Sequence, residues 1–163
     1  MLNLSLLILN NIVLIILIIS IVLYGFYLRN HLLSMWQEVS RLEISFNAKL
    51  FETLKVYQGY TDTFKTHPAM HLLEAFQKDK ALKFRHCSLE ERKKLFKAMQ
   101  KIYGEIYQDK ELKYDTLKVH FEALQMQRLK YNSKVLVYNH KIHTFPVKIF
   151  AKKMQFLPKD YFG

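Results

Sequence analysis

The chain has 163 residues and a formal charge of +11, yet none of its 25 basic and 14 acidic residues falls within the first 28. The remaining stretch of about 135 residues suffices for one modest domain with its own core. Four glycines and three prolines are too few for a sheet full of tight turns or for a disordered linker, and a single cysteine, Cys87, excludes an intramolecular disulfide. So large an excess of positive charge points to an anionic neighbour, of which a membrane surface is the simplest.

Residues 1–11 form a short N-terminal segment. Residues 12–28 read IVLIILIISIVLYGFYL, interrupted only by Ser20 and Gly25. At ~1.5 Å per residue this run spans roughly 26 Å, just short of a ~30 Å hydrocarbon core. Residues 6–9, ahead of Asn10 and Asn11, extend it. Tyr24 and Tyr27 sit at its far end, where amphipathic rings favour the headgroup level. A cleaved signal peptide would need a basic lead-in and a small-x-small cleavage site, and neither is present. A buried core helix is the weaker reading, because the run is apolar on all sides and rich in β-branched residues. The segment therefore reads as a single-pass transmembrane helix. No Lys or Arg precedes it, and Arg29, His31 and Arg41 come after it. The positive-inside rule then places the N-terminus outside and residues 29–163 in the cytoplasm.

Beyond Arg29 the apolar spacing is helical. Leu32, Met35, Val39, Leu42, Phe46, Leu50, Thr53, Tyr57, Tyr60 and Phe64 step by three and four along one face. No Pro or Gly interrupts residues 28–58, so the membrane helix is expected to continue into this one. Pro68 restarts a shorter helix with Met70, Leu73 and Phe76 inward, fading through the basic stretch 78–85. Ser88-Leu-Glu-Glu91 is a capping box that opens a third helix through Leu95, Met99, Ile102 and Ile106. The fourth has the clearest seam: Leu117, Phe121, Leu124, Arg128, Tyr131, Val135, Tyr138, Ile142 and Phe145, stopped by Pro146. The expected fold is all-α, an N-terminal transmembrane helix followed by an elongated antiparallel up-and-down bundle of about four helices spanning 29–163.

Catalytic and metal signatures are missing from the pattern. His67 and His71, and His140 and His143, each share a helix face, but no HExxH, ExxH or CxxC string supplies further ligands. They read as surface histidines. Cys87 lies just ahead of a helix N-terminus, which would lower its pKa, yet no partner base or oxyanion device accompanies it. No phosphate loop, nucleophile elbow or dinucleotide fingerprint occurs. The expectation is a protein that is not an enzyme and needs no cofactor or metal.

Arg128 stands at a seam step where a charge should be excluded. Two readings stand: an ion pair with Glu38, Glu43 or Glu52 on the first helix that fixes register, or a side chain that snorkels to the edge on its apolar stem. Asn132 and Asn139 are seven apart, each following a seam tyrosine. They read as amides bridging helix flanks or as a polar stripe that a partner helix or peptide recognises.

The run Arg128, Tyr131, Asn132, Val135, Tyr138, Asn139, Ile142, Phe145, Pro146, followed by Ala151, Phe156 and Tyr161-Phe162, resembles the signature of the bacterial LemA family. That family ends its last long helix R-x-x-Y-N-x-x-V-x-x-Y-N-x-x-I-x-x-F-P with a short aromatic tail. Trp36 with Val39, and Gly59 with Tyr60, are similar to the family's tryptophan and V-K-G-Y positions on the first helix. The family's R-Y-x-x-I-P-N stretch is replaced by Phe46-Asn-Ala-Lys-Leu50-Phe51, which marks a divergent member. The resemblance implies a single-pass anchor, a small external N-terminus, an elongated antiparallel bundle and no established biochemical activity.

Two functional classes fit these features. In the first, the chain is a membrane-anchored helical-bundle scaffold of the bacterial envelope, presenting a bundle face to another envelope or cytoplasmic-face protein. In the second, the basic residues Lys78, Lys80, Lys83 and Arg85, then Arg92, Lys93, Lys94 and Lys97, bind anionic lipid headgroups or another polyanion. Nucleic acid is disfavoured because no groove-reading module is present. The sequence sets no oligomeric state.

Overall fold

The computed structural model describes residues 2–74, 87–107 and 114–163, with side chains from residue 9 onward. The protein is all-helical. Among the described residues there are five helices: α1 (Leu2–Gln58), α2 (Pro68–Glu74), α3 (Leu89–Ile106), α4 (Asp115–His143) and α5 (Val147–Lys153). The chain divides into two compact units, one of Met1–Glu38 with Leu136–Lys159, the other of Val39–Val135 with Asp160–Gly163. α1 and α4 contribute to both.

α1 is one uninterrupted helix, as the absence of a breaker between the apolar run and Gln58 requires. Every large apolar side chain from Leu9 to Tyr27 is 45–64 % exposed, which removes the core-helix reading. By length and composition α1 is apolar enough to cross a membrane. Ser20, the polar interruption, donates its hydroxyl to the Ile16 carbonyl at 2.8 Å, so its polar group is satisfied within the helix. The helix ends where Gly59 enters, its N–H reaching the Lys55 and Val56 carbonyls. The expected face through Tyr60 and Phe64 thus leaves the helix after Gln58, although both rings stay half-buried.

In the first unit Leu28 and Leu32 of α1 are buried together with Tyr138 and Ile142 of α4 and with Val147 and Ala151 of α5. The Phe150 ring meets Tyr24 edge-on at 6.3 Å. Trp36, 40 % exposed, carries the Lys159 ammonium over its face at 5.3 Å.

In the second unit the core is aromatic. Phe46 stacks on Tyr131 at 6.2 Å, and Tyr57 lies 6.4 Å from Phe121. As residue numbers rise on α1 they fall on α4, so the two run antiparallel here. α3 enters the same core through Phe96 and Tyr103, each against Phe121, and Tyr103 donates to Glu122 at 3.0 Å. Its first turn holds the expected capping box: Ser88 Oγ accepts from the Glu91 N–H, and the Glu91 carboxylate accepts from the Ser88 N–H. Those bonds hold the Glu91 carboxyl below its usual pKa. α2 begins at Pro68 as expected and packs on α3.

Two expectations fail at the end of α4. Phe145 is 78 % exposed, because the helix stops at His143 and a three-residue step from Ile142 no longer returns to the seam. A fifth helix, α5, then forms where only a tail was expected. The basic stretch 78–85, and Phe76, lie outside the described residues.

Candidate functional site

α4 places its Tyr-Asn pairs against the C-terminal segment of the same chain. In the second unit, Asn132 Nδ2 donates to the Phe162 carbonyl at 2.8 Å, and the Phe162 N–H donates to Asn132 Oδ1 at 2.9 Å. The Tyr131 hydroxyl donates to the Asp160 carbonyl at 2.8 Å. The same device occurs in the first unit. Asn139 exchanges both bonds with the backbone of Lys159, at 2.8 and 2.9 Å, and the Tyr138 hydroxyl donates to the Leu157 carbonyl at 2.9 Å. Each asparagine therefore treats one tail residue as a neighbouring strand would, matching one donor and one acceptor. The peptide that this polar stripe recognises is the chain's own tail.

Burial pushes the Tyr131 hydroxyl up to about 12, with the charges of Glu43 and Asp160 adding to the effect. Burial alone raises Tyr138. Both hydroxyls are thereby kept as donors. Phe162 is 2 % exposed and lies 4.4 Å from Phe46 and 5.7 Å from Phe96, so the tail completes the aromatic core. Val39 and Val135 are buried in that unit, and Ile142 in the other. Pro146 follows Phe145 through a cis peptide bond.

Arg128 does not take up the expected ion pair. Its guanidinium lies over the Phe96 ring at 5.2 Å, and its buried Nε has no hydrogen-bond partner. Of the three glutamates named for it, Glu52 pairs with Lys49 at 2.9 Å and with His120 at 3.3 Å. The position suits a cation on a ring face, which is less costly than a buried charge without a partner. Lys93, Lys97 and Gln100 of α3 line a cavity of about 90 Å³ with Arg128, Phe96, Phe162 and Gly163. Two members of the expected basic surface thus join a residue that sequence spacing assigned to the core. Lys93 also pairs with Glu90 at 3.2 Å, Lys94 is exposed, and Arg92 is half-buried with its Nε unpartnered. Lys78, Lys80, Lys83 and Arg85 lie outside the described residues.

The histidines are used separately. His67 Nδ1 accepts from the Ala69 N–H at 3.0 Å, so Nε2 carries the proton and donates to Glu105 at 2.8 Å. His71 lies 3.7 Å from Glu74, and His143 Nδ1 is 2.7 Å from the Asn139 carbonyl. Among the described residues no three His, Cys, Asp or Glu side chains group to hold a metal. The Cys87 thiol is raised by burial and by Glu91, against a smaller opposing effect of Arg92, the reverse of the lowering its place before α3 suggested.

Sequence reasoning missed the α5 residues Lys148, Ile149, Lys152 and Lys153. The signal was present in V-K-I-F-A-K-K after Pro146, but so short a run passes for an irregular tail.

The LemA family model matches residues 111–163 of the chain, which covers both Tyr-Asn pairs, α5 and the tail. No curated protein and no solved structure matches the chain.

Proposed function

We propose, for a chain whose C-terminal match supports LemA family membership, a membrane-anchored helical-bundle scaffold of the bacterial envelope that works by binding another protein rather than by catalysis. The observation that carries this reading is α1, a single helix whose exposed apolar run continues without a break into residues of a packed bundle. An exposed apolar surface of this extent is unfavourable in water and favourable in lipid. The absence of basic residues before residue 29 supports an external N-terminus and a cytoplasmic bundle at the inner membrane. The Tyr-Asn pairs support a structural rather than a catalytic use of the family signature, since the chain's own tail occupies them. The test is fractionation of cells expressing the full chain. The protein should stay with the membrane pellet through alkaline carbonate and high salt, and in-cell crosslinking should capture one recurrent partner. Release by carbonate would refute the anchor, and crosslinking that returns no recurrent partner would refute the scaffold role.

A second reading, binding of an anionic headgroup or another polyanion by α3, draws on the cavity shared by Lys93, Lys97 and Arg128. Vesicle binding that rises with anionic lipid and vanishes in Lys93→Gln/Lys97→Gln would favour it.

A further inference from the structure

α5 stands apart from the tail residues that Asn132 and Asn139 hold. Its inner side is Val147 and Ala151, both buried, with half-buried Phe150. Phe150 is held edge-on against Tyr24 and lies beside Gly25, where an added Cβ would sit 3.8 Å from the ring. At 3.6 residues per turn, Lys148, Lys152, Ile149 and Lys153 fill the opposite arc in that order. All four are exposed, Ile149 at 61 %, and Phe145 just ahead is 78 % exposed. Between residues 136 and 159 the sequence has five lysines and two histidines and no acidic residue. The outward arc is thus apolar at its centre and cationic at its flanks.

We infer that α5 with Phe145 is an interfacial element that lies on the anionic headgroup surface at the point where α1 leaves the bilayer; this rests on α1 being the membrane span. The depth comes from helix geometry. Tyr24 and Gly25 stand three to four residues before Leu28, about 5–6 Å inside the last residue of the apolar run. Interfacial helices bury their apolar side about 5–10 Å into the boundary between headgroups and acyl chains. A helix packed against Tyr24 is therefore held at that boundary whenever residues 12–28 fill the hydrocarbon. Ile149 and Phe145 then enter the acyl region, and the three lysines extend their stems to the phosphates. Tyr24 and Tyr27 occupy the same level, as amphipathic rings prefer. The contact also adds positive charge beside the Leu28 end of the span, where Arg29 and His31 alone set only a small asymmetry.

The test uses the full chain with Trp36→Phe, so that one introduced tryptophan reports alone. Leu17→Trp, Ile149→Trp and Phe145→Trp are reconstituted into vesicles of brominated phosphatidylcholine, with or without phosphatidylglycerol. Leu17→Trp is expected to be quenched in both. Ile149→Trp and Phe145→Trp should be blue-shifted, and quenched more by bromine near the headgroup end of the acyl chain than by bromine near its terminus. Their quenching should rise with phosphatidylglycerol and fall with salt or with Lys148→Gln, Lys152→Gln and Lys153→Gln combined. If Leu17→Trp is quenched while both outer tryptophans report water, the inference fails and the anchor stands. If Leu17→Trp is not quenched, both fail. Quenching of the outer pair that ignores anionic lipid and the lysine changes would overturn the headgroup contact.

Discussion

Asn132 and Asn139 use a side-chain amide as a substitute for a peptide group. Each exchanges two hydrogen bonds with one tail residue, so truncation strands a donor and an acceptor at once. Leaving such part-buried groups unpaired costs about 1–3 kcal/mol. Asn132→Ala is expected to lower the melting temperature of the detergent-solubilised full chain accordingly. Asn132→Asp should be no better, since a carboxylate oxygen would then face the Phe162 carbonyl. Asn132→Ala and Tyr131→Phe should combine to less than their sum, because both release residues 160–162. Tyr131 also gives a pH dependence. Its pKa is raised from 10.0 to about 12, so the fold favours the neutral hydroxyl. That contribution is complete below about pH 10 and is lost as pH rises toward about 12. Alkaline titration followed by phenolate absorbance should show several late-ionising tyrosines, Tyr57 and Tyr103 among them, and one fewer in Tyr131→Phe. Glu91 has the opposite sign: its depressed pKa favours the charged form, so the α3 cap weakens as pH falls below the carboxylate range.

At the level of elements, continuity is the property that matters most for α1. Ser34 is exposed in the helix interior, and Ser34→Pro removes an i→i−4 bond and should cost about 3 kcal/mol, read as a lower melting temperature and reduced helicity. Ser88→Ala should cost about 0.5–2 kcal/mol by removing the α3 cap. α2, α3 and most of α4 were legible because their starts are local chemistry: Pro68 at a first turn, Ser88 with Glu91, and an unbroken seam from Leu117 to Ile142, whereas the apolar spacing of α1 runs on to Phe64 past the helix end at Gln58. The Tyr-Asn repeat was legible as a pattern but not as a contact. Seven helical residues rise about 10.5 Å and three extended residues advance about 10 Å, so a heptad of asparagines suits an extended strand laid along a helix. Nothing local says that the strand is residues 157–162. The ion-pair reading of Arg128 fails for the same reason, since a seam position shows that a side chain turns inward and not that Phe96 stands there. α5 escaped because seven residues are too few for periodicity to declare a helix.

For the whole molecule, charge and apolarity are separated along the chain. Residues 1–28 hold no charged side chain, and the net +11 falls entirely on residues 29–163. The proposed bilayer contact is motivated by this separation, since a bilayer surface offers an apolar and an anionic environment together. Replacing Leu17 and Ile18 by lysines should shift the full chain from the carbonate-resistant pellet to the soluble or aggregated fraction, measured by immunoblot after fractionation. A shift there with α5 variants unchanged would separate anchoring from the interfacial contact.

Phe162 reaches Phe46 from more than a hundred residues further along the chain. Protein synthesis is vectorial, so the apolar run is made first, and with α1 as anchor the ribosome is already at the membrane while the second unit lacks its closing residue. At ~5–20 residues per second, Phe46, Phe96 and Phe121 wait on the order of ten seconds before Phe162 is made. A nascent chain ending before residue 159 would leave the aromatic core open and both asparagines unanswered. A chain cut back before residue 157 is therefore expected to be cleaved by added protease faster than the full chain, because Phe46 and Phe96 lose Phe162 as their neighbour.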